Sequence, residues 1–298
     1  MNASLLEFDE VGFAYQPGRS ILAGVNLRID PGQRLAVLGP NGGGKTTLFR
    51  LAAGALRPAT GQIAVAGTRV RHTRAGLREL RQQVQLVVQD PDDQLFSANV
   101  RQDVSFGPVN LGLPAAQVRR RCDAALAALG VSAIAERPTH LLSYGQRKRV
   151  AIAGAVAMHP RLLILDEPTA GLDPAGVEAL LRTLDDLHTA GTTVVLSTHD
   201  VDLAFRWADA VAVVSGGGVR TVARADGLAN EGLLAAAHLV PAWAPLVHRL
   251  LDRIPELAGA RPRAVTELAE LLNDAELLND AELLNDAELL NEAVPDDR

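Results

Sequence analysis

The chain has 298 residues, 48% of them apolar, 21% charged and 3% aromatic, with a net charge of −6 and a single cysteine. That length allows one large domain with an appendage, and the apolar share is enough to bury a core. No run reaches the ~20 apolar residues of a membrane span, residues 1–9 lack the basic and apolar stretches of a signal peptide, Cys122 alone excludes an internal disulfide and fits a reducing compartment, and no basic block interleaved with aromatics points to nucleic acid.

In chain order, apolar alternation over Leu5–Phe13 and Val25–Ile29 predicts antiparallel strands. Leu35-Ala36-Val37-Leu38 predicts a buried strand. Residues 39–47 follow as Gly-Pro-Asn-Gly-Gly-Gly-Lys-Thr-Thr and fit the phosphate-loop pattern G-x-x-x-x-G-K-[ST] at Gly39, Gly44, Lys45 and Thr46. Leu48–Ala53 then predicts a helix, so the motif sits between strand and helix, the context it requires. Glycines let the backbone wrap an anion, and the helix start directs unpaired N–H groups at phosphate. Lys45 supplies a full charge for the β- and γ-phosphates, and Thr46 a hydroxyl for Mg²⁺.

Helical patterns follow over Arg74–Gln83, over Ala115–Leu129 and from near Ser143. Ser143 is a good N-cap residue and Gly145 permits close backbone approach, which makes a second anion-ready helix start. Leu162-Leu163-Ile164-Leu165 predicts a buried strand that ends on Asp166-Glu167. Carboxylates at the C-terminal end of such a strand lie where an open α/β sheet binds ligands. Asp166 suits Mg²⁺ and Glu167 suits a general base for an attacking water. A helix around Val177–Thr189 and a strand over Thr193–Ser197 imply βαβ units and a parallel sheet. Val211–Val214 followed by Gly216-Gly217-Gly218 reads as strand and tight turn.

Beyond about residue 225 the chain is Ala/Leu/Pro-rich helical material without a chemical motif. Residues 264–298 carry eleven acids and one base, Arg298, so the rest of the chain is mildly basic. Within them, Leu-Leu-Asn-Asp-Ala-Glu repeats every six residues from 271 to 293. A period of six spirals the leucine pairs around an α-helix instead of stacking them, which makes a poor coiled coil. The organisation expected is 1–225 as the domain built around the phosphate loop, 226–263 as a helical extension and 264–298 as an acidic low-complexity hexapeptide-repeat tail.

Taken together, the motifs resemble those of the ATP-binding-cassette ATPases, the nucleotide-binding subunits of membrane transporters. Over roughly residues 4–223 the family's landmarks occur in order. Tyr15 matches the aromatic A-loop position, residues 39–47 the phosphate loop (Gly39, Pro40, Asn41, Gly42, Gly43, Gly44, Lys45, Thr46 and Thr47), and Gln89 the Q-loop glutamine. Leu142–Gln146 matches the signature, with Tyr144 where glycine is usual. Asp166-Glu167 ends the Walker B strand, Ala170–Asp173 matches the D-loop, and His199 the switch histidine. The run Asp90–Phe96 with Asp103–Leu113 is similar to the cobalt-type and energy-coupling-factor importer branch.

The resemblance implies a P-loop NTPase core with a mostly parallel sheet, an antiparallel β subdomain and a helical signature subdomain. It implies ATP and Mg²⁺ as ligands, and a head-to-tail homodimer, or heterodimer with a paralogue, that sandwiches two ATP molecules. Tyr15 would stack on adenine, and Ser143, Gly145 and Gln146 would face the partner's ATP, with Asp173 bridging the two sites. Glu167, His199 and Gln89 would be catalytic, and Thr46, Gln89 and Asp166 would serve the metal. The chain would be peripheral on the cytoplasmic face of the membrane, with a transmembrane coupling protein and a substrate-binding membrane component as partners and no nucleic acid. An exporter ATPase is the first alternative. Chromosome or ribosome ATPases are the second, and the short interval from Gln89 to Ser143 argues against the coiled-coil insertions of chromosome members.

Overall fold

In the computed structural model, which describes residues 4–224, 228, 230–254, 257–263 and 265–274, β1 (Leu6–Gln16) and β2 (Arg19–Ile29) pair antiparallel. β3 (Arg34–Leu38) leads through the glycine loop into α1 (Lys45–Ala52). β4 (Thr60–Val65) joins β1 antiparallel and is followed by the short β5 (Thr68–Arg69), giving a sheet in the order β2-β1-β4-β5. Next come α2 (Arg74–Gln83) and β6 (Val84–Val87). Thr73 caps α2 by accepting the Gly76 N–H, which is why the helix starts where the periodicity predicts.

A helical segment follows, made of α3 (Val100–Asn110), α4 (Ala115–Ala128) and α5 (Tyr144–Val156). The chain then runs through β7 (Leu162–Leu165), α6 (Pro174–Thr189), β8 (Thr193–Thr198), α7 (Val201–Trp207), β9 (Ala210–Ser215), β10 (Gly218–Ala223) and α8 (Glu231–Ala236). α6 begins three residues ahead of Val177 because Asp173 caps it and Pro174, with its fixed φ, fits the first helical position.

The second sheet has the order β10-β9-β3-β8-β7-β6, parallel except for the antiparallel hairpin of β9 and β10. Every residue of β7 and β8 is buried. Continuous apolar runs such as Leu162–Leu165 suit strands covered on both faces, as in an α/β fold. The parallel arrangement sends the C-terminal ends of β3, β6, β7 and β8 to one edge of the sheet. The glycine loop, Gln89, Asp166-Glu167 and His199 follow those four ends. α3 packs on α5 and on the turn after it: a Cβ on Gly107 would overlap the Met158 sulfur.

Two units divide the chain, Met1–Val240 and Pro241–Arg298. The first takes in α8, where Leu234 is fully buried and the Ser215 hydroxyl donates to the Ala236 carbonyl at 2.6 Å. In the second, α9 (Trp243–Leu251) is followed by a turn in which Arg261 pairs with Asp252 at 2.8 Å, holding its carboxyl below the usual range, and by α10 (Val265–Asp274). Of the hexapeptide repeat only residues 271–274 are described; the rest lies outside the described residues. No described helix is long and apolar enough to cross a membrane.

Candidate active site

The glycine loop is built by backbone conformation. Gly39 (φ 155°), Gly42 (φ 75°) and Gly44 (φ 106°) have positive φ, and a Cβ on Gly39 would lie 2.6 Å from the Val214 carbonyl oxygen. Gly44 is the N-cap of α1 and supplies no side-chain acceptor, so the first N–H groups of the helix stay directed at the loop's hollow. Lys45, 6% exposed, donates to the carbonyls of Gly39 (2.8 Å) and Pro40 (3.3 Å) and stands 3.4 Å from Glu167 Oε1.

Next to this loop, Asp166 Oδ2 accepts the Thr46 hydroxyl at 2.6 Å and its Oδ1 accepts the Ser197 hydroxyl at 2.6 Å. The Ser197 oxygen in turn accepts the Glu167 N–H at 2.8 Å. Glu167 has φ 47°, uncommon for a residue with a Cβ and a sign of local strain at a functional position. Its side chain is buried; Oε2 lies 3.1 Å from His199 Nδ1, and Oε1 has no hydrogen-bond partner. One carboxylate is therefore flanked by a buried ammonium and an exposed imidazole. Tyr15 is half exposed, sits edge-on to Phe13 with ring centres 4.9 Å apart, and its hydroxyl is 3.2 Å from the Thr47 hydroxyl.

A cavity of about 380 Å³ is lined by Tyr15, Ile21, Pro40, Asn41, Gly42, Gly44, Lys45, Thr46, Thr47, Gln89, Asp166 and Glu167; Gly39, Gly43 and His199 stand outside this lining. Ser143, Gly145, Gln146 and Asp173 do not line it. Ser143 and Gln146 form a reciprocal capping box at the start of α5, Ser143 Oγ accepting the Gln146 N–H at 3.3 Å and Gln146 Oε1 accepting the Ser143 N–H at 3.0 Å. Asp173 caps α6 by accepting the Gly176 N–H at 2.7 Å.

The ABC transporter family model matches residues 22–170, a span holding the glycine loop, the Ser143–Gln146 helix start and the Asp166-Glu167 pair. The chain belongs to the ABC transporter family. The Rhodobacter capsulatus cobalt import ATP-binding protein CbiO is 49% identical over 259 residues, 87% of this chain and 90% of that one. The Methanocaldococcus jannaschii energy-coupling factor transporter ATP-binding protein EcfA is 46% identical over 213 residues, 72% and 76% of the two chains. The solved structure of cbiO1 from Clostridium perfringens, part of the ABC transporter complex cbiONQ, superposes with a TM-score of 0.72 at 39% identity, covering 86% of this chain and 98% of that one. As a member of the ABC transporter family the chain is an ATPase, and its fold is the expected P-loop NTPase core with an antiparallel β subdomain and a helical subdomain.

Two residues of this ABC site carry no motif label. Ser197 is fully buried and joins Asp166 to Glu167; its signal is a hydroxyl directly after the apolar run Val194-Val195-Leu196. Lys148 is 1% exposed and donates to the Glu167 and Ala170 carbonyls, and burial pushes its ammonium down to about 8. Only the fold brings it to Glu167.

Proposed function

We propose that this chain is the ATP-hydrolysing, energy-coupling subunit of a membrane importer for a metal ion such as cobalt or nickel, or for a vitamin. The observation that carries the reading is the Glu167 carboxylate, buried at the end of β7 between Lys45 and His199 and bordering the glycine-loop cavity. Its names among relatives agree: one is a cobalt import protein, another an energy-coupling factor subunit.

In this reading the glycine loop and Lys45 hold the β- and γ-phosphates, and Tyr15 stacks on adenine. Thr46 and Asp166 offer a hydroxyl and a carboxylate oxygen 2.6 Å apart beside Gln89, a donor set that suits a hard divalent cation. Among the described residues no group of three or more His, Cys, Asp or Glu side chains could hold an ion unaided, which fits a metal bound jointly with nucleotide phosphates. Mg²⁺, when bound, offsets phosphate charge. Glu167 orients and deprotonates the water that attacks the γ-phosphorus, and His199 holds the γ-phosphate.

Ser143, Gly145 and Asp173 lie outside the chain's own cavity, which supports a head-to-tail dimer in which one protomer's signature closes its partner's site. A groove of about 660 Å³ between β6, α3 and α5 carries the exposed pair Phe96 and Phe106, stacked edge to face at 4.6 Å. Exposed aromatics are typical anchors of an interface, and here they receive the transmembrane coupling protein at the cytoplasmic face of the membrane. A substrate-binding membrane component would complete the complex.

The test is capture with the Glu167→Gln chain plus ATP from detergent-solubilised membranes of the host. Recovery of a transmembrane coupling protein with a small membrane-embedded binding partner supports the importer. A membrane partner without such a component makes the chain an exporter subunit. Ribosomal or chromosomal proteins with no membrane partner overturn transport altogether.

A further inference from the structure

Of the 29 basic residues, only two are lysines, Lys45 and Lys148. Both are buried, and both ammonium groups reach Glu167: Lys45 its carboxylate at 3.4 Å, Lys148 its backbone carbonyl at 2.9 Å. Lys45 is accounted for by the phosphate loop. Lys148 does not line the cavity, and a buried ammonium is costly unless fully engaged.

Its engagement is specific. Lys148 Nζ also donates to the Ala170 carbonyl at 2.7 Å and lies 5.4 Å from the centre of the Tyr144 ring. Two carbonyls and a ring face surround one compact charge, a geometry that an ammonium fits and the planar guanidinium fork does not. The Tyr144 ring rests on Gly171, where a Cβ would come within 2.8 Å of it, and a Cβ on Gly145 would be 3.4 Å from Leu172. The first turns of α5 are thereby fixed to the 167–172 segment.

The consequence falls on Glu167. Its N–H is held by Ser197 and its C=O by Lys148, so the peptide groups on both sides of a left-handed residue are anchored while its carboxylate reaches toward Lys45 and His199. We propose that Lys148 is a positioning residue for hydrolysis: by holding the Glu167 and Ala170 carbonyls it sets the placement of the Glu167 carboxylate and ties it to the α5 turn that carries Ser143 and Gly145. This rests on Glu167 being the general base.

The experiment measures steady-state ATP hydrolysis and fluorescent-nucleotide binding for full-length wild type, Lys148→Met, Lys148→Gln, Glu167→Gln and the Lys148→Met/Glu167→Gln double variant. Misplacing a catalytic group by about 1 Å costs up to ~10²-fold. Lys148→Met is expected to lose at least ~10-fold in kcat, with KM and nucleotide Kd within ~3-fold of wild type. Lys148→Gln, which restores one amide donor, recovers part of that loss. In the Glu167→Gln background Lys148→Met adds no further loss, because it acts through the residue already removed. Lys148→Met or, where that variant does not fold, Lys148→Gln with wild-type kcat overturns the proposal, as does a full additive loss in the double variant. Wild-type turnover in Glu167→Gln instead overturns the general-base reading, a separate outcome.

Discussion

The Thr46 hydroxyl donates to the Asp166 carboxylate at 2.6 Å across 120 residues of sequence. The strands that lead to them, β3 and β7, are not neighbours; β8 runs between them and contributes Ser197, which holds the other oxygen of Asp166. The meeting of this hydroxyl and this carboxylate is therefore set by strand order.

Replacing Asp166 with Ala removes the charged acceptor from this set. A hydrogen bond to a charged group contributes about 1.5–3 kcal/mol, or roughly 10- to 100-fold in affinity. ATP binding measured with Mg²⁺ is expected to weaken by that amount, and binding measured in chelator to change by less than ~3-fold. An undiminished Mg²⁺ response in the variant removes Asp166 from the metal site.

Glu167→Gln is expected to retain ATP binding and to slow turnover by at least ~10²-fold, the low end for loss of a general base. Single-turnover hydrolysis on pre-bound ATP separates the two quantities. Turnover at the wild-type rate assigns the water to another residue.

Sharing of sites between protomers is testable by mixing defects. Lys45→Met disables the phosphate loop. Ser143→Asp keeps an N-cap acceptor for α5 but sets a carboxylate against phosphate. Each variant alone is expected to be inactive. A mixed dimer carries both defects at one site and none at the other, so mixing restores part of the wild-type activity. No recovery on mixing, with dimers demonstrated by cross-linking, argues that each chain completes its own site.

Phe96 and Phe106 can be shortened without touching the ATP cavity. Replacing both with Ala is expected to leave ATP binding unchanged and to reduce co-purification with the membrane component at least ~10-fold, as for a truncated aromatic anchor of about 2 kcal/mol. Full retention of the complex places the interface elsewhere.

Lys148 also gives a pH signature. Its folded value of about 8 lies below the ordinary lysine value of 10.5. Between the two, the unfolded chain holds the proton more tightly, so stability rises with pH across that window; below about 8 the cost of the buried charge is fully present. Urea unfolding of wild type and Lys148→Met at pH 7.5 and 10 tests this. The wild type is expected to gain relative to the variant at the higher pH, and an unchanged difference contradicts the shift.

Sequence periodicity located α2 at Arg74–Gln83 and the strand Leu162–Leu165 with the bounds observed, because a cap at Thr73 and an uninterrupted apolar run are local signals. It missed α3, which contains Gly107 and Pro108, two helix-disfavouring residues; Gly107 lies against the Met158 side chain, and Pro108 sits where the helix is ending. β6 escaped notice because Gln85 interrupts a strand of only four residues, of which Val84 and Val87 alone are fully buried. In the site, the glycine loop, Asp166, Glu167 and His199 were legible from motif spacing. Ser197 and Lys148 were not, since each acts through a backbone atom of a residue about twenty to thirty positions away, and backbone partners leave no pattern in side-chain identity.

A chain that uses arginine for every basic position except the two that meet Glu167 has an outer face without lysine amines. Acylating reagents, aldehyde fixatives and enzymes that conjugate or acetylate lysine thus find side-chain targets only at the nucleotide loop and behind it. An ATP-protected loss of activity on lysine acylation would report on Lys45 with almost no background, and the protein's surface charge would stay intact while the chemistry proceeded.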